Sequence, residues 1–300
     1  MNIQAVLKNN TFCYSENKHN VPLYDQLIDL QELKELLIAS GDKALKSDDI
    51  YNQELFQGVE IYRILFEREY QYQLPISVEE VKMLNKIIEQ SSTINEDNYN
   101  QILEDVKSNN LTKPYGLLCC YLFKDEHLHI NSFETLIKVR RHFLNLIGNI
   151  KDFVEACALC FPNLYFHPKI EKSIATLSAP FNVYKNEVIR HLSVINDIFH
   201  PLYKEARNEG LISILKTVES EGSIKCTLEG NAASAKQRLE FNFLNSLGVD
   251  EKLICEPHTK LEGTNAPGDT KYRYDRIYFH EGRENIADGK TLIAHIGDHL

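Results

Sequence analysis

The C-terminal part of the chain contains the stretch Cys255-Glu256-Pro257-His258-Thr259-Lys260-Leu261-Glu262-Gly263. It is followed by Tyr272-Arg273-Tyr274-Asp275-Arg276-Ile277-Tyr278-Phe279, and the sequence ends on Ala294-His295-Ile296-Gly297-Asp298-His299-Leu300. Alternating apolar residues in these stretches predict the strands of a small sheet. The polar residues between them supply a carboxylate, imidazoles, an ammonium group and guanidinium groups. These are the groups that acid–base cleavage of a phosphodiester requires.

Around these stretches, residues 221–300 predict a small α+β domain. Its elements are a strand, a helix and three further strands forming an antiparallel meander, at 224–228, 232–247, 252–256, 271–280 and 291–296. Gly248 is suited to end the helix in a left-handed conformation. The loop 263–270 is rich in Gly, Asn and Pro, which is typical of a connection between strands.

The remainder of the chain begins with a short strand-like stretch, Ile3 to Leu7, and from Pro22 onward its pattern predicts helices. One apolar helical face is indicated by leucines spaced three and four residues apart, at Leu23, Leu27, Leu30, Leu33 and Leu37. Ser77 and Glu80 form a capping box that predicts a helix start, and the apolar stretch 115–123 predicts a buried helix. The sequence therefore predicts a mainly α N-terminal domain over residues 1–220. The small α+β domain over residues 221–300, an antiparallel sheet with a packed helix, completes the chain.

Composition limits the classes of function. An apolar fraction of 43% and a charged fraction of 25% are ordinary for a globular protein, and no apolar run is long enough to predict a membrane span. Seven cysteines and an N-terminus without a secretory pattern predict reduced thiols and a cytoplasmic protein. The net charge of −10 argues against a general nucleic-acid binder. Residues 221–300 hold 10 lysines and arginines against 13 aspartates and glutamates, so contact with RNA would have to be local.

The order Glu-Pro-x-x-Lys-Leu, a loop, a strand with a central arginine and a closing strand near a histidine resembles the RelE/ParE superfamily. Within it, the likeness is greatest to YoeB-type messenger-RNA interferases, and it covers residues 221–300. The resemblance implies an endoribonuclease toxin that needs no cofactor or metal and acts on RNA, with the ribosome and an antitoxin or regulatory protein as partners. Carried over by position, it implies Glu256, Lys260, Arg276 and His299 as catalytic residues. The implied biological setting is growth arrest or phage defence.

The chemistry of these residues can be stated separately. Glu256 would remove the proton of the 2′-hydroxyl, and His299 or His295 would protonate the departing 5′-oxygen. Lys260 and Arg276 would neutralise charge on the phosphorane. The expected products are a 2′,3′-cyclic phosphate and a 5′-hydroxyl. Further substrate contacts are expected from His258, Lys271, Arg273 and His295.

Several alternatives remain open on sequence grounds. Glu256 and Lys260 also fit a solvated strand end, and Arg276 also fits a structural ion pair with Asp275. His295 also fits a core or supporting position. The C-terminal domain then becomes a catalytically inactive binding module, or a sheet that only completes the core of a helical interaction protein.

One further cluster, Cys157-x-x-Cys160 with His167, supplies three of the four ligands of a structural zinc site, so no metal site is predicted. No glycine-rich phosphate loop and no Gly-x-Ser-x-Gly elbow occurs in the sequence.

Overall fold

A computed structural model gives the structure of the chain. It describes residues 2–14, 21–109, 111–120, 128–206, 209–229, 237–261 and 275–300. The chain divides into two compact units, Met1–Phe143 and Leu144–Leu300. The boundary predicted near residue 220 falls inside the second of these units.

The first unit is built on a parallel sheet. Its strands, in chain order, are β1 (Gln4–Leu7), β2 (Lys43–Ser47), β5 (Ser92–Ile94), β6 (Tyr115–Leu118) and β7 (His129–Ile130). They lie in the order β5-β2-β1-β6-β7, and all neighbours are parallel. The chain thus runs outward from the central β1 in one direction and then in the other, which is a doubly wound arrangement. A small hairpin of β3 (Glu54–Phe56) and β4 (Val59–Glu60) accompanies the sheet.

Helices surround this sheet. They are α1 (Leu23–Ala39), α2 (Ile61–Phe66), α3 (Arg68–Gln73), α4 (Val78–Glu89), α5 (Glu96–Ser108) and α6 (Phe133–Leu144). The predicted leucine face of α1 is buried. The capping box at the start of α4 is confirmed, because the Ser77 hydroxyl accepts from the Glu80 amide at 3.2 Å and the Glu80 carboxylate accepts from the Ser77 amide at 2.6 Å.

The prediction of a mainly α N-terminal domain is wrong, because both units are of mixed α and β structure around five-stranded sheets. Strands of a parallel sheet are covered on both faces and therefore consist of short apolar runs without alternation. Such a run cannot be told from a buried helix by its periodicity. The stretch 115–123, predicted as a helix, contains β6.

The second unit carries the sheet that the polar C-terminal residues occupy. Its helices are α7 (Ile150–Cys160), α8 (Ile170–Ile174), α9 (Phe181–Val194), α10 (His200–Glu205) and α11 (Leu211–Gly222). Its strands are β8 (Leu164–Phe166), β9 (Lys225–Leu228), β10 (Glu240–Leu244), β11 (Asp250–Ile254), β12 (Pro257–Lys260), β13 (Arg276–His280) and β14 (Thr291–Gly297). The main sheet has the order β8-β14-β13-β12-β9, in which β8 is parallel to β14 and the other pairs are antiparallel. Strands β10 and β11 form a separate hairpin.

The prediction of a small, purely antiparallel meander with a packed helix is therefore also wrong in detail. Residues 240–244 of the predicted helix form strand β10. Strand β12 was not predicted as a separate element. It begins at Pro257, a residue that is accepted at the first position of a strand. A strand from the middle of the unit, β8, extends the sheet on the far side of β14.

Candidate active site

One face of the main sheet of the second unit presents two rows of polar side chains. Residues two apart on a strand share a face, so the pairing registers define these rows. The first row contains Lys225, Lys260 and Arg276, and the second contains Thr227, His258, Tyr278 and His295. The opposite face is buried and is formed at these positions by Cys226, Thr259, Ile277 and Ile296. The alternation of polar and apolar residues along β9, β12 and β13 is what separates the two faces.

The carboxylate of Glu229 is the point on which this face converges. Arg276 Nη1 donates to Glu229 Oε2, and the Tyr278 hydroxyl donates to the same oxygen at 3.1 Å. His299 Nε2 lies 3.6 Å and His258 Nδ1 lies 3.8 Å from it. Arg276 Nη1 also donates to the Tyr278 hydroxyl at 3.0 Å. One carboxylate oxygen is thus surrounded by a guanidinium, a phenol and two imidazoles.

Backbone pairing places Glu229 at this position. It follows β9 directly, and its amide donates to the carbonyl of Glu256 at 3.3 Å. The side chains of Arg276 and His258 are 4% and 2% exposed, whereas those of Glu229 and His299 are 16% and 29% exposed. The two groups suited to proton transfer are therefore the ones that solvent can reach.

The environment sets the charge of each group. Burial alone would raise the pKa of Glu229, but the surrounding groups, led by the charge of Arg276, outweigh it and the pKa is lowered. Burial raises the pKa of Tyr278 to about 12, so its hydroxyl remains protonated at neutral pH. Burial, followed by the repulsion of Arg276, lowers the pKa of Lys260. The site therefore holds an ionised carboxylate against a neutral phenol and a row of cations.

His258 is a positioning residue within the cluster. Burial, followed by the charge of Arg276, lowers its pKa to about 4, so the ring is neutral at pH 7. Its Nδ1 lies 3.2 Å from the Glu256 carbonyl and its Nε2 lies 3.1 Å from the Thr227 hydroxyl. A carbonyl can only accept, which assigns the ring proton to Nδ1 and leaves Nε2 to accept from the hydroxyl.

This neutral histidine makes the stability of the second unit sensitive to acid. The pKa of His258 is about 4 in the folded protein, against an ordinary value of 6.5. The unfolded chain therefore binds more protons between these pH values, and stability falls as the pH drops through that window. The loss from this one group is on the order of 3 kcal/mol. We expect His258→Gln to flatten the pH dependence of the free energy of unfolding, measured in urea between pH 7 and pH 4.

The slope of the free energy of unfolding against pH, rather than the absolute stability of the variant, tests whether the His258 ring is neutral in the folded protein. The groups that face His258 are Glu229, Arg276, Lys260 and Thr227. Because the pKa of Glu229 is lowered, its own contribution is lost only below the ordinary pKa of a glutamate, at lower pH than that of His258. An unchanged slope in His258→Gln would show that the ring is charged in the folded protein.

The turn after β14 fixes the position of His299. His295 Nε2 lies 3.0 Å from the carbonyl of Asp298, and the Thr176 hydroxyl lies 2.7 Å from the Asp298 carboxylate. Gly297 allows this close approach, since a Cβ there would meet the Thr176 hydroxyl at 2.2 Å. The residue before His299 is thus held by contacts from two directions.

Several of the predicted site residues lie together. Arg276, His258 and His299 surround the Glu229 carboxylate, and Lys260 lies opposite Arg276 in the strand register. Glu256 meets the cluster through its backbone carbonyl, which lies within hydrogen-bonding distance of His258. The catalytic roles assigned to these residues stay predictions.

The other predicted residues have different positions. The ring of His295 is 5.9 Å from that of Tyr278, and its Nε2 is directed to the turn that precedes His299. Lys271 and Arg273 lie outside the described residues. The carboxylate of Asp275 accepts from the amide and hydroxyl of Ser178, at 3.1 and 2.5 Å. The partner of Arg276 is therefore Glu229 and not its neighbour in sequence.

Two central residues, Glu229 and Tyr278, were not recognised in the sequence. The signal for Glu229 was present, because Lys225, Thr227 and Glu229 alternate with apolar residues and must share a face. What the sequence does not show is which strand β9 pairs with. Tyr278 follows Arg276 by two residues and shares its face for the same reason.

The possible zinc ligands are placed as parts of the core. Cys157 and Cys160 are fully buried on α7, and burial raises the pKa of the Cys157 thiol. His167 packs its ring edge-on against Phe241 and Phe243, at 5.6 and 5.2 Å between ring centroids.

Comparison of the chain with protein-family models, with curated proteins and with solved structures gave no match. Within the described part of the chain, no helix has both the length and the apolar character needed to cross a membrane.

Proposed function

We propose that the protein is an endoribonuclease that cleaves RNA by acid–base chemistry on the polar face of the main sheet of the second unit. The observation that carries this proposal is the convergence of Arg276, Tyr278, His258 and His299 on the carboxylate of Glu229. A base, an acid and anion-binding donors are thereby present within one site. The proposal transfers the role of base from Glu256, suggested by sequence, to Glu229.

The reaction is an attack of the RNA 2′-hydroxyl on the adjacent phosphorus. Glu229, ionised because its pKa is lowered, takes the proton of the hydroxyl as the O2′–P bond forms. His299, the partly exposed imidazole, gives a proton to the 5′-oxygen as the P–O5′ bond breaks. The products are a 2′,3′-cyclic phosphate and a 5′-hydroxyl, and no other reactant is consumed.

The row of Lys225, Lys260 and Arg276 supports binding of an anion. Like charges directly opposite each other on neighbouring strands destabilise a sheet, so such a row is expected where it meets a negatively charged ligand. Arg276 Nε is buried and has no hydrogen-bond partner among the described residues. A guanidinium and an ammonium beside the phosphate would stabilise the charge that grows in the transition state.

The proposal also covers the compartment, the biological role and the partners of the protein. All seven cysteines lie in the described part of the chain and each is a free thiol, which fits action in the reducing cytoplasm. The RelE/YoeB-like pattern of residues favours a role in growth arrest or phage defence, with the ribosome or a regulatory protein as partner. The net charge of −10 favours such a partner, since the chain as a whole repels RNA.

A second candidate is a binding module without catalysis. It is favoured by one observation, namely that Glu229 already engages the guanidinium of Arg276. If Glu229 is only a counter-ion, its removal leaves RNA binding intact or stronger and no cleavage is lost, because none is present.

The use of the 2′-hydroxyl gives the first test of the enzyme. We expect unmodified RNA to be cleaved in the presence of EDTA, because protein side chains supply the base, the acid and the cations. RNA of the same sequence with 2′-O-methyl groups should remain intact, because it lacks the nucleophile. End-group analysis of the products should find cyclic phosphate. Cleavage of the methylated strand would contradict the mechanism.

A further inference from the structure

A pocket of about 500 Å³ lies on the second unit beside the acid–base cluster. Its size is in the range of pockets that hold small ligands. Side chains from the β8–α8 segment form one wall, the β10–β11 hairpin forms another, and β14 contributes Ala294 and His295.

An irregularity in β14 connects this pocket with the cluster. Tyr278 pairs with His295 whereas Phe279 pairs with Ile293, so Ala294 is an extra residue in the strand. Such a bulge changes the direction of the side chains around it. Here Ala294 packs in the apolar cluster with the hairpin, while the ring of His295 lies against Tyr278 and lines the pocket. His295 therefore lines the pocket and also contacts Tyr278 of the acid–base cluster.

The charge of the pocket is opposite to that of the chain. Lys169, Lys172 and Lys252 line it, and Glu240 is the one acidic residue among the lining residues that the structure describes. Glu240 is paired with Lys252 at 2.9 Å, which leaves two lysines in excess. In a chain with a net charge of −10, this local excess of cations indicates an anionic ligand.

The remaining lining residues fit the base of a nucleotide. Phe241 is half-buried and lines the pocket, and aromatic rings bind bases of single-stranded RNA by stacking. His167 holds the wall in place, because its Nδ1 accepts from the amide of Lys169 at 3.1 Å. Asn242 and Gln237 add amide groups that can both donate and accept.

We infer that this pocket binds a nucleotide of the RNA strand next to the scissile phosphate. The inference rests on the proposed ribonuclease function and names the part of the substrate held beyond the reacting groups. The lysines contact phosphate, Phe241 stacks on the base, and His295 separates this nucleotide from the acid–base cluster. Binding energy from the pocket positions the strand without taking part in proton transfer.

Direct binding tests this inference apart from catalysis. The probe is a short, fluorescently labelled single strand of fully 2′-O-methylated RNA, which cannot be cleaved by the proposed reaction. The double variant Lys169→Ala/Lys172→Ala, which removes the two lysines in excess, should weaken binding about tenfold and reduce the dependence of log Kd on log salt by about 0.7 per lysine. The control Lys151→Ala/Lys216→Ala removes the same charge from helices α7 and α11, outside the pocket lining, and should bind like the wild type.

The base contact is tested with an abasic strand of the same length. It should bind the wild type at least about fivefold more weakly than the full strand, since stacking on an aromatic ring contributes on the order of 1–3 kcal/mol. Equal affinity of pocket and control variants, equal affinity of abasic and full strands, or no binding to wild type would each overturn the inference.

Cleavage kinetics keep the two proposals apart. On unmodified RNA, the pocket variant should raise KM and leave kcat within about twofold, because it removes binding that is equal in substrate and transition state. If the pocket variant had an unchanged KM and kcat still depended on Glu229, the inference about the pocket would be wrong and the proposed ribonuclease activity would stand. If the probe bound in a lysine-dependent way but no Glu229-dependent cleavage occurred, the proposed ribonuclease activity would be wrong and the pocket would remain a nucleotide-binding site.

Discussion

Glu229→Gln is expected to lower kcat for RNA cleavage by about 10²- to 10⁴-fold, the usual contribution of a general base. The substitution keeps the size of the side chain and its ability to accept from Tyr278 and Arg276. It removes the negative charge that takes the proton of the 2′-hydroxyl. Binding of uncleavable RNA should be equal or stronger, because a carboxylate no longer competes with phosphate for Arg276. Single-turnover cleavage and binding of 2′-O-methylated RNA measure the two quantities separately.

Glu256→Gln is the matched control for this experiment. Glu256 is the glutamate that the sequence pattern suggested as the base, and its carbonyl contacts His258 and the amide of Glu229. The substitution leaves this carbonyl in place, so we expect kcat to change less than about tenfold, well short of the loss of a general base. The opposite order of effects, a large loss in Glu256→Gln and a small one in Glu229→Gln, would return the role of base to Glu256.

The sequence identified most of the polar residues of the site but not how they are combined. His258 and Arg276 could be selected because such residues are unusual within apolar strands, and His299 because of its position after the last strand. Glu229 precedes Arg276 by many residues and meets it only because β12 pairs with β9 on one side and β13 on the other. Strand pairing is a non-local property, and the local pattern of either strand does not contain it. The same limit applies to His295, whose direction depends on a bulge.

The fold was predictable where a long periodic pattern was present. The leucine face of α1 extends over several helical turns, and the capping box of α4 is a defined sequence motif. Both were predicted from the sequence and are present in the structure. Strand β1 lies within the strand-like start predicted at residues 3–7, whereas β2 and β6 are strands of only five and four residues that the sequence did not predict. Because both faces of a parallel sheet are covered, these strands lack the alternation that would separate them from helix. The doubly wound sheet of the first unit was missed for this reason.

Arg140→Met is expected to lower the stability of the first unit by about 3–5 kcal/mol. The Asp42 carboxylate accepts from Arg140 Nη2 at 2.5 Å and from the amide of Ile3 at 2.7 Å. The side chains of Arg140 and Asp42 are 3% and 0% exposed. Removing the guanidinium leaves a buried carboxylate whose desolvation is no longer offset. For a unit of this size the loss corresponds to a fall in Tm of about 10 °C, measurable by calorimetry.

Lys138→Met, two residues earlier on α6, is the matched control. The Lys138 side chain is 67% exposed and pairs with Glu134 at 2.6 Å, so its loss should cost about 0.5 kcal/mol or less. The double variant Asp42→Asn/Arg140→Met removes both buried charges and should be more stable than Arg140→Met alone, since the penalty of the single variant comes from the unpaired carboxylate. If Arg140→Met and Lys138→Met melted at the same temperature, the buried pair would contribute nothing. Water would then reach the Asp42 carboxylate in the folded unit.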